Sequence, residues 1–196
     1  DKIIFDVSHQ CYTHKILTGR KDAFTVEEKY NSANGYTNPD ESDHDLFRVG
    51  HTATSISLAC GLAKARNIRG GKESIIAVIG DGSLSGGEAF EGLDFGGSDI
   101  EGNFIVLFND NQMSIAENHG GIYKNLALLR STEGRAENNL FKAFGYDYIF
   151  VKDGNDITQA VNALRAAKEL DHPVVVHMCT VKGKGYDFAE SHKEST

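Results

Sequence analysis

Residues 74–82 read SIIAVIGDG, an apolar run that ends in Gly-Asp-Gly, and residues 104–111 read FIVLFNDN, a second such run that ends in Asn-Asp-Asn. Strands buried on both faces carry apolar residues without polar alternation, so both runs predict central strands of a parallel sheet. A polar turn follows each strand at once. These turns therefore belong to the carboxyl edge of the sheet, where open α/β sheets bind their ligands.

Further apolar runs extend the sheet on both sides. Residues 173–178 (PVVVHM) form a third run, residues 146–151 a weaker fourth, and residues 3–5 another strand at the start of the chain. Stretches of about two dozen residues separate most of the strands, which is enough for a crossover helix in each connection. The predicted fold class is α/β, with a mostly parallel sheet and helices on both faces.

Helical patterns fill the connections. Small residues dominate residues 54–66, which predicts a helix that packs closely in the core, and residues 88–93 continue as a helix after the Gly-Asp-Gly turn. A later helix has one apolar face, made of Ile157, Val161 and Leu164. Either Asn155 or Asp156 can cap that helix, since both side chains accept hydrogen bonds from free backbone N–H groups.

Composition limits the classes of function. The chain has 196 residues with 28 acidic and 20 basic side chains, a net charge of −8, so it repels phosphate backbones and a nucleic-acid partner is not expected. Its three cysteines are scattered, as in a reduced cytoplasmic protein. No run is apolar enough to span a membrane. We expect one domain over residues 1–196, cut from a longer enzyme.

Asp81 and Asn111 are the strongest candidates for a metal site. They are 30 residues apart, each just after a buried strand, and carboxylate and amide oxygens suit Mg²⁺, which also takes ligands from substrate phosphates. A helix beginning near Ser85 would aim N–H groups at such phosphates, with Gly82 allowing close approach. Each turn taken singly reads as an ordinary loop; the pair favours the site.

Gly-Asp-Gly followed at this distance by Asn-Asp-Asn resembles the thiamine diphosphate motif of transketolase-like enzymes. Further words in the same order are similar to segments of the 1-deoxy-D-xylulose-5-phosphate synthase family. These are DVSHQ at 6–10, HKILTGR at 14–20, VGHT at 49–52, NDNQMSI at 109–115 and KGKGY at 182–186. The resemblance implies the thiamine diphosphate-binding fold, in its diphosphate-binding domain, and a place in isoprenoid and thiamine biosynthesis.

The resemblance also implies roles for the residues of the two turns. Asp81 and the side chain of Asn111 match the metal ligands, and the backbone carbonyl of Met113 matches the third. Gly82 and Ser83 match the backbone that holds the diphosphate, and Asn111 counts as a cofactor contact as well.

Residues from three other words match the surroundings of the cofactor. His9, Gly50, His51 and Thr52 correspond to positions around its reactive ring and diphosphate, and Tyr186 to a later loop that reaches it. His9 and His51 are the candidate catalytic residues, because imidazole titrates near neutrality and can move protons or polarise a carbonyl. Five other histidines are interpreted as structural: His44, His119, His172, His177 and His192.

The chain departs from the family pattern in three places. Ser8 stands where the family commonly has glycine, and the stretch after Pro39 lacks the family's arginine. The segment before Leu140 is shorter than in typical synthases. All three departures fall around the side of the site where the acceptor substrate would bind.

The implied reaction joins pyruvate, a 2-oxo acid, to glyceraldehyde 3-phosphate, an aldehyde phosphate, and gives 1-deoxy-D-xylulose 5-phosphate and CO₂. No glutamate here matches the one that the family uses to activate the cofactor. We therefore expect a pyrimidine-binding domain downstream or on a partner chain, a homodimer, and an inactive isolated chain. Three alternatives stay open: a transketolase-type two-carbon transferase, one subunit of a split enzyme, and a non-catalytic module that binds a diphosphate and has no use for the two histidines.

Overall fold

The computed structural model describes residues 1–113 and 119–192, whose strands form one parallel sheet. The order across the sheet is β1-β2-β3-β5-β4, and every neighbouring pair is parallel. The strands are β1 Lys2–Phe5, β2 Ile75–Gly80, β3 Phe104–Asp110, β4 Asp147–Val151 and β5 Pro173–Cys179. Each matches a predicted apolar run to within one or two residues at its ends, which confirms the α/β class.

Helices connect the strands and cover both faces of the sheet. They are α1 Tyr12–Lys15, α2 Asp22–Thr25, α3 Ser55–Arg69, α4 Asp81–Leu84, α5 Gly87–Asp99, α6 Gly121–Ser131, α7 Leu140–Ala143, α8 Ile157–Lys168 and α9 Asp187–Ser191, with a π-helical turn at Ile16–Arg20 and a 3₁₀ turn at Glu27–Lys29. Across the described ranges, none of these helices has both the length and the apolar character needed to cross a membrane.

Two apolar clusters lie on opposite faces of the sheet. Phe104, Val106 and Phe108 of β3 point into the larger cluster, which α3, α5, α6 and α7 cover. Ile105 of the same strand points the other way, into a smaller cluster with Val174 and residues of α8. Because alternate residues of one strand are buried on opposite faces, the strand needs apolar side chains throughout.

The three predicted helices are present as α3, α5 and α8. Asp156 caps α8, its carboxylate accepting from the N–H groups of Thr158 and Gln159 at 2.8 and 3.3 Å. The helix expected to begin near Ser85 is α5, which begins at Gly87. A single helical turn that was not predicted, α4, starts at Asp81 itself.

Candidate functional site

The predicted metal ligands line one cavity at the carboxyl edge of the sheet. Gly80 pairs with Asn109 in the register of β2 and β3, so the residues that follow the two strands leave the sheet at the same level. Asp81, Asn111 and Met113 all border the cavity, whose volume is about 580 Å³. The structure thus brings together the carboxylate, the amide and the third residue of the predicted ligand set.

Asp81 is a buried carboxylate whose ionised form is disfavoured by its surroundings. Burial, followed by the nearby charge of Asp110, raises the pKa of Asp81 to about 6. The backbone carbonyl of the same residue accepts a hydrogen bond from the Tyr123 hydroxyl at 3.2 Å, which holds the turn against α6. A cation in the cavity would relieve the unfavourable charge, so the site suits a metal ion on electrostatic grounds.

Asn111 and Met113 present oxygen donors of the kind that Mg²⁺ takes. The Asn111 side-chain oxygen accepts from the Met113 N–H at 3.0 Å, which turns the chain tightly after β3. A carboxylate, an amide oxygen and a backbone carbonyl form a hard-oxygen set that leaves positions for phosphate oxygens and water. The donor chemistry therefore fits a magnesium-bound diphosphate. The last two residues of the NDNQMSI word lie at 114–115, outside the described residues.

Asp110, between the two asparagines, points into the fold rather than into the cavity. Its carboxylate accepts from Arg130 at 2.6 Å and pairs with His177 Nε2 at 2.9 Å. Burial alone would raise the pKa of Asp110, but the hydrogen bonds from His177 and Arg130 outweigh it and hold the pKa below its ordinary value. Burial lowers the pKa of His177. A neutral His177 that donates from Nε2 must accept at Nδ1 from the Tyr148 hydroxyl, 2.7 Å away.

This buried hydrogen-bond network, from Arg130 through Asp110 and His177 to Tyr148, forms the back wall of the site. Arg130, at its outer end, also lines the cavity. Asp110, His177 and Cys179 have potential ligand atoms within 4.8 Å of one another. However, Asp110 and His177 already use those atoms on each other and on Arg130 and Tyr148, so a metal there would have to break three charged or polar contacts. The structural interpretation of His177 matches these contacts.

Residues 49–55, which contain His51, are held at both ends by hydrogen bonds to the residues directly before His9. The Ser8 hydroxyl donates to the Val49 carbonyl at 2.9 Å. The Asp6 carboxylate accepts from the N–H groups of Ala53 at 2.9 Å and Ser55 at 3.0 Å, where α3 begins. Residues 50–52, between these attachments, are exposed, as is His9.

The same segment is tied to the turn after β2. The Thr52 hydroxyl donates to the Ser83 hydroxyl at 2.6 Å. A Cβ on Gly86 would fall 2.4 Å from the Ala53 Cβ, so glycine is required for this close approach. Gly50, His51 and Thr52 are thus joined through Ser83 to the turn that carries Asp81 and Gly82.

Three non-glycine residues near this junction have left-handed backbone conformations. The φ angles are 54° at Val7, 71° at Ser8 and 68° at Ala53. Such conformations cost on the order of 1–3 kcal/mol each and persist where the surroundings enforce them, often at functional sites. The hydrogen bonds of Ser8 and Asp6 supply that enforcement here.

His14, Lys15 and Arg20 of the HKILTGR segment form a charge cluster with Glu41 and Asp45. Asp45, fully buried, accepts from Arg20 at 2.6 and 2.9 Å and from His14 at 2.8 Å. Lys15, also fully buried, donates to Glu41 at 2.7 Å. Burial works against the charge, but the Arg20, backbone and His14 hydrogen bonds hold the pKa of Asp45 far below its usual value. The cluster anchors the long loop that leads to His51.

Tyr186 is the predicted site residue that the structure does not place with the others. It lies beyond the carboxyl end of β5, exposed, with its ring 6.1 Å from that of Phe188. Among the described residues, it does not line the cavity that Asp81 and Asn111 border, and neither do His9, residues 50–52, Gly82 or Ser83; unlike these, it has no described hydrogen bond that connects its segment to the turn after β2.

Comparisons with known proteins agree on one family. The family model of 1-deoxy-D-xylulose-5-phosphate synthase matches residues 1–139 and 131–180. The chain is 40% identical to 1-deoxy-D-xylulose-5-phosphate synthase 1 of Geobacter sulfurreducens over 98% of its own length, and 38% identical to the synthase of Natranaerobius thermophilus over 97%. It spans 36% of the length of each of these curated relatives.

The span matched with a curated relative is longer than this chain. With the Geobacter relative it is 228 residues long, more than the whole of this chain, so the relative has extra residues inside it. Two matches to parts of the family model overlap at residues 131–139, directly before α7.

A solved structure supports the fold alone. A transketolase mutant from Pichia stipitis, described as a complex with xylulose 5-phosphate, superimposes with a TM-score of 0.68 at 20% identity, covering 91% of this chain and 28% of that one.

Proposed function

Because the chain belongs to the 1-deoxy-D-xylulose-5-phosphate synthase family, we propose that residues 1–196 form the diphosphate-binding domain of a thiamine diphosphate-dependent transferase. The reaction condenses pyruvate with glyceraldehyde 3-phosphate and releases CO₂. Relatives at 38–40% identity carry the synthase name, whereas the transketolase likeness stands at 20% identity, which favours this reaction over two-carbon transfer between sugars.

The cavity at the ends of β2 and β3 is the observation that carries the proposal. Asp81, Asn111 and Met113 border it together, as a magnesium-bound diphosphate requires. Asp81 and the side-chain oxygen of Asn111 would hold Mg²⁺ with the Met113 carbonyl. Gly82 and Ser83 would contact the diphosphate through their backbone.

The reactive end of the cofactor belongs beside the two exposed histidines. Thiamine diphosphate, when bound, supplies the electron sink that decarboxylation of a 2-oxo acid needs. His9 and His51 would hold and move protons at the substrate's oxygen atoms. Gly50 and Thr52 would line the cofactor beside them. Tyr186 would contact the cofactor once the complete site is assembled.

The rest of the site would come from elsewhere. The chain spans about a third of its relatives, which leaves room for a pyrimidine-binding domain downstream or on a partner chain. We call the assembly of this chain with that domain the complete enzyme, and we expect it to be a homodimer. The free cysteines Cys11, Cys60 and Cys179 fit a reducing, cytoplasmic location.

A decarboxylation assay tests this function. With saturating thiamine diphosphate and Mg²⁺, the complete enzyme should release CO₂ from pyruvate and form 1-deoxy-D-xylulose 5-phosphate when glyceraldehyde 3-phosphate is added. Residues 1–196 alone should release none, because the base that activates the cofactor lies on the other domain. Turnover by the isolated chain would refute the division of the site between domains, and a complete enzyme that ignores pyruvate would refute the substrate.

A further inference from the structure

We infer that Ser8 is a positioning residue whose hydroxyl sets the distance between His9 and the segment 50–52, so that one ligand can contact both. The inference deepens the proposed function and rests on it. Ser8 is buried, with 1% of its surface exposed, although the next residue, His9, is exposed.

The Ser8 hydroxyl connects three separate parts of the chain. It donates to the Val49 carbonyl at 2.9 Å and accepts from the Thr37 N–H at 3.0 Å. Thr37 in turn donates from its own hydroxyl to the Phe47 carbonyl at 2.8 Å. One oxygen atom therefore satisfies two backbone groups on segments that lie 29 and 41 residues away.

These contacts hold residues 49–55, which contain His51, at their amino-terminal end. Asp6 holds the trailing end through Ala53 and Ser55. The exposed residues 50–52 therefore lie between two hydrogen-bonded positions. Both sets of hydrogen bonds are made by the three residues before His9. A shift of Ser8 would move His9 and His51 relative to each other, whereas the apolar core beneath α3 would remain.

A role in folding alone would predict a different pattern of effects. Loss of the hydroxyl leaves a backbone N–H and a carbonyl without partners in a buried place, so some loss of stability is expected in either case. If Ser8 also positions the site, loss of its hydroxyl should lower ligand affinity more than an equally destabilising substitution elsewhere in the chain. Asn103 offers such a control, because its side chain donates to the Ala167 and Leu170 carbonyls, at 2.8 Å each, at the amino edge of the sheet.

The first measurement uses the chain without any ligand. Hydrogen exchange followed by mass spectrometry should show faster exchange, by about tenfold or more, in peptides containing Thr37 and residues 49–52 of the Ser8→Ala variant. Peptides of β2 and β3 should exchange as in the wild type. Unchanged exchange at Thr37 would show that the hydroxyl does not hold these segments, and would overturn the inference.

The second measurement is calorimetry of thiamine diphosphate with Mg²⁺ on the complete enzyme. Ser8→Ala should raise Kd about tenfold, a loss of about 1.4 kcal/mol, and Asn103→Ala should change it less than about twofold. Ser8→Gly removes the same hydroxyl but suits the φ of 71°, so it should fold well and lose affinity equally. Wild-type affinity in Ser8→Gly would mean that backbone conformation, not the hydroxyl, sets the geometry. If the wild type binds and no Ser8 variant is weakened, the inference fails while the proposed function stands; if the wild type does not bind, both fail.

Discussion

Replacing Asp81 with asparagine should make the metal-free chain more stable while it destroys the metal site. The pKa of Asp81 is raised from 3.8 to about 6, a difference of about 2 units. At 1.36 kcal/mol per unit, keeping this carboxylate ionised costs the fold about 3 kcal/mol. Asparagine avoids that cost but accepts weaker hydrogen bonds from the Gly82 and Asp81 N–H groups, so we expect a net gain of about 1–2 kcal/mol.

The sign of the pH dependence follows from the raised pKa. The folded state binds the Asp81 proton more tightly than the unfolded state does, so this group favours folding at low pH. That contribution is complete below about pH 4 and is lost as the pH rises through about 6. The stabilisation by Asp81→Asn should therefore be full at pH 7.5 and much smaller at pH 4.5.

Thermal unfolding in the presence of a chelator measures the effect. For a chain of this size the melting temperature of Asp81→Asn should rise by about 2–8 °C at pH 7.5. Asp110→Asn makes the same substitution at a carboxylate whose partners lower its pKa, so the melting temperature of this variant should fall instead. Saturating Mg²⁺ and thiamine diphosphate, at about 100 times Kd, should stabilise the wild-type complete enzyme by about 2.7 kcal/mol and leave Asp81→Asn unaffected. A variant that is less stable than the wild type at pH 7.5 would refute the electrostatic argument.

Two further predictions concern the histidines and the charge cluster. His9→Ala and His51→Ala should each lower kcat of the complete enzyme about 100-fold or more, with a small change in melting temperature. The control variant His172→Ala, at the amino edge of the sheet, should keep the wild-type kcat. If the His9 and His51 variants instead unfold at lower temperature and keep their specific activity, these histidines serve packing. Asp45→Asn should cost about 3–5 kcal/mol in denaturant unfolding because it takes the buried carboxylate away from Arg20 and leaves Lys15 paired with Glu41. Since the pKa of Asp45 is lowered on folding, the wild-type advantage should begin to shrink below about pH 4 and should be lost only as the pH falls through the much lower pKa of the folded state; equal stability of the two proteins at pH 7 would contradict this.

The strands and the edge of the sheet could be predicted because their signals are local. An apolar run such as residues 104–108 must be buried on both faces, and a polar turn directly after it must lie at the carboxyl edge. Two such turns are enough to place Asp81 near Asn111. The short turn α4, which takes Asp81 into helical conformation before the chain bends at Gly86, was not predicted, because a single helical turn has no periodic pattern of its own.

The support around the site could not be predicted, because it depends on partners far along the chain. Asp110 meets His177 across 67 residues, and the Ser8 hydroxyl meets Val49 across 41. Nothing in the local pattern distinguishes these polar residues from ordinary loop residues. A non-glycine residue where glycine is common, as at Ser8, was the one available signal, and its meaning became clear only from the φ angle and the two hydrogen bonds.

The most direct test of the account is equilibrium binding of thiamine diphosphate to the complete enzyme by calorimetry, with Mg²⁺ and with a chelator. We predict that binding requires the metal and that Asp81→Ala weakens it by about 100-fold or more, or about 2.7 kcal/mol, because the diphosphate then loses the cation that neutralises it. The Asn103→Ala variant should bind as the wild type does. Unchanged affinity in Asp81→Ala, or equal affinity with and without Mg²⁺, would contradict the assignment of this cavity as the metal and diphosphate site.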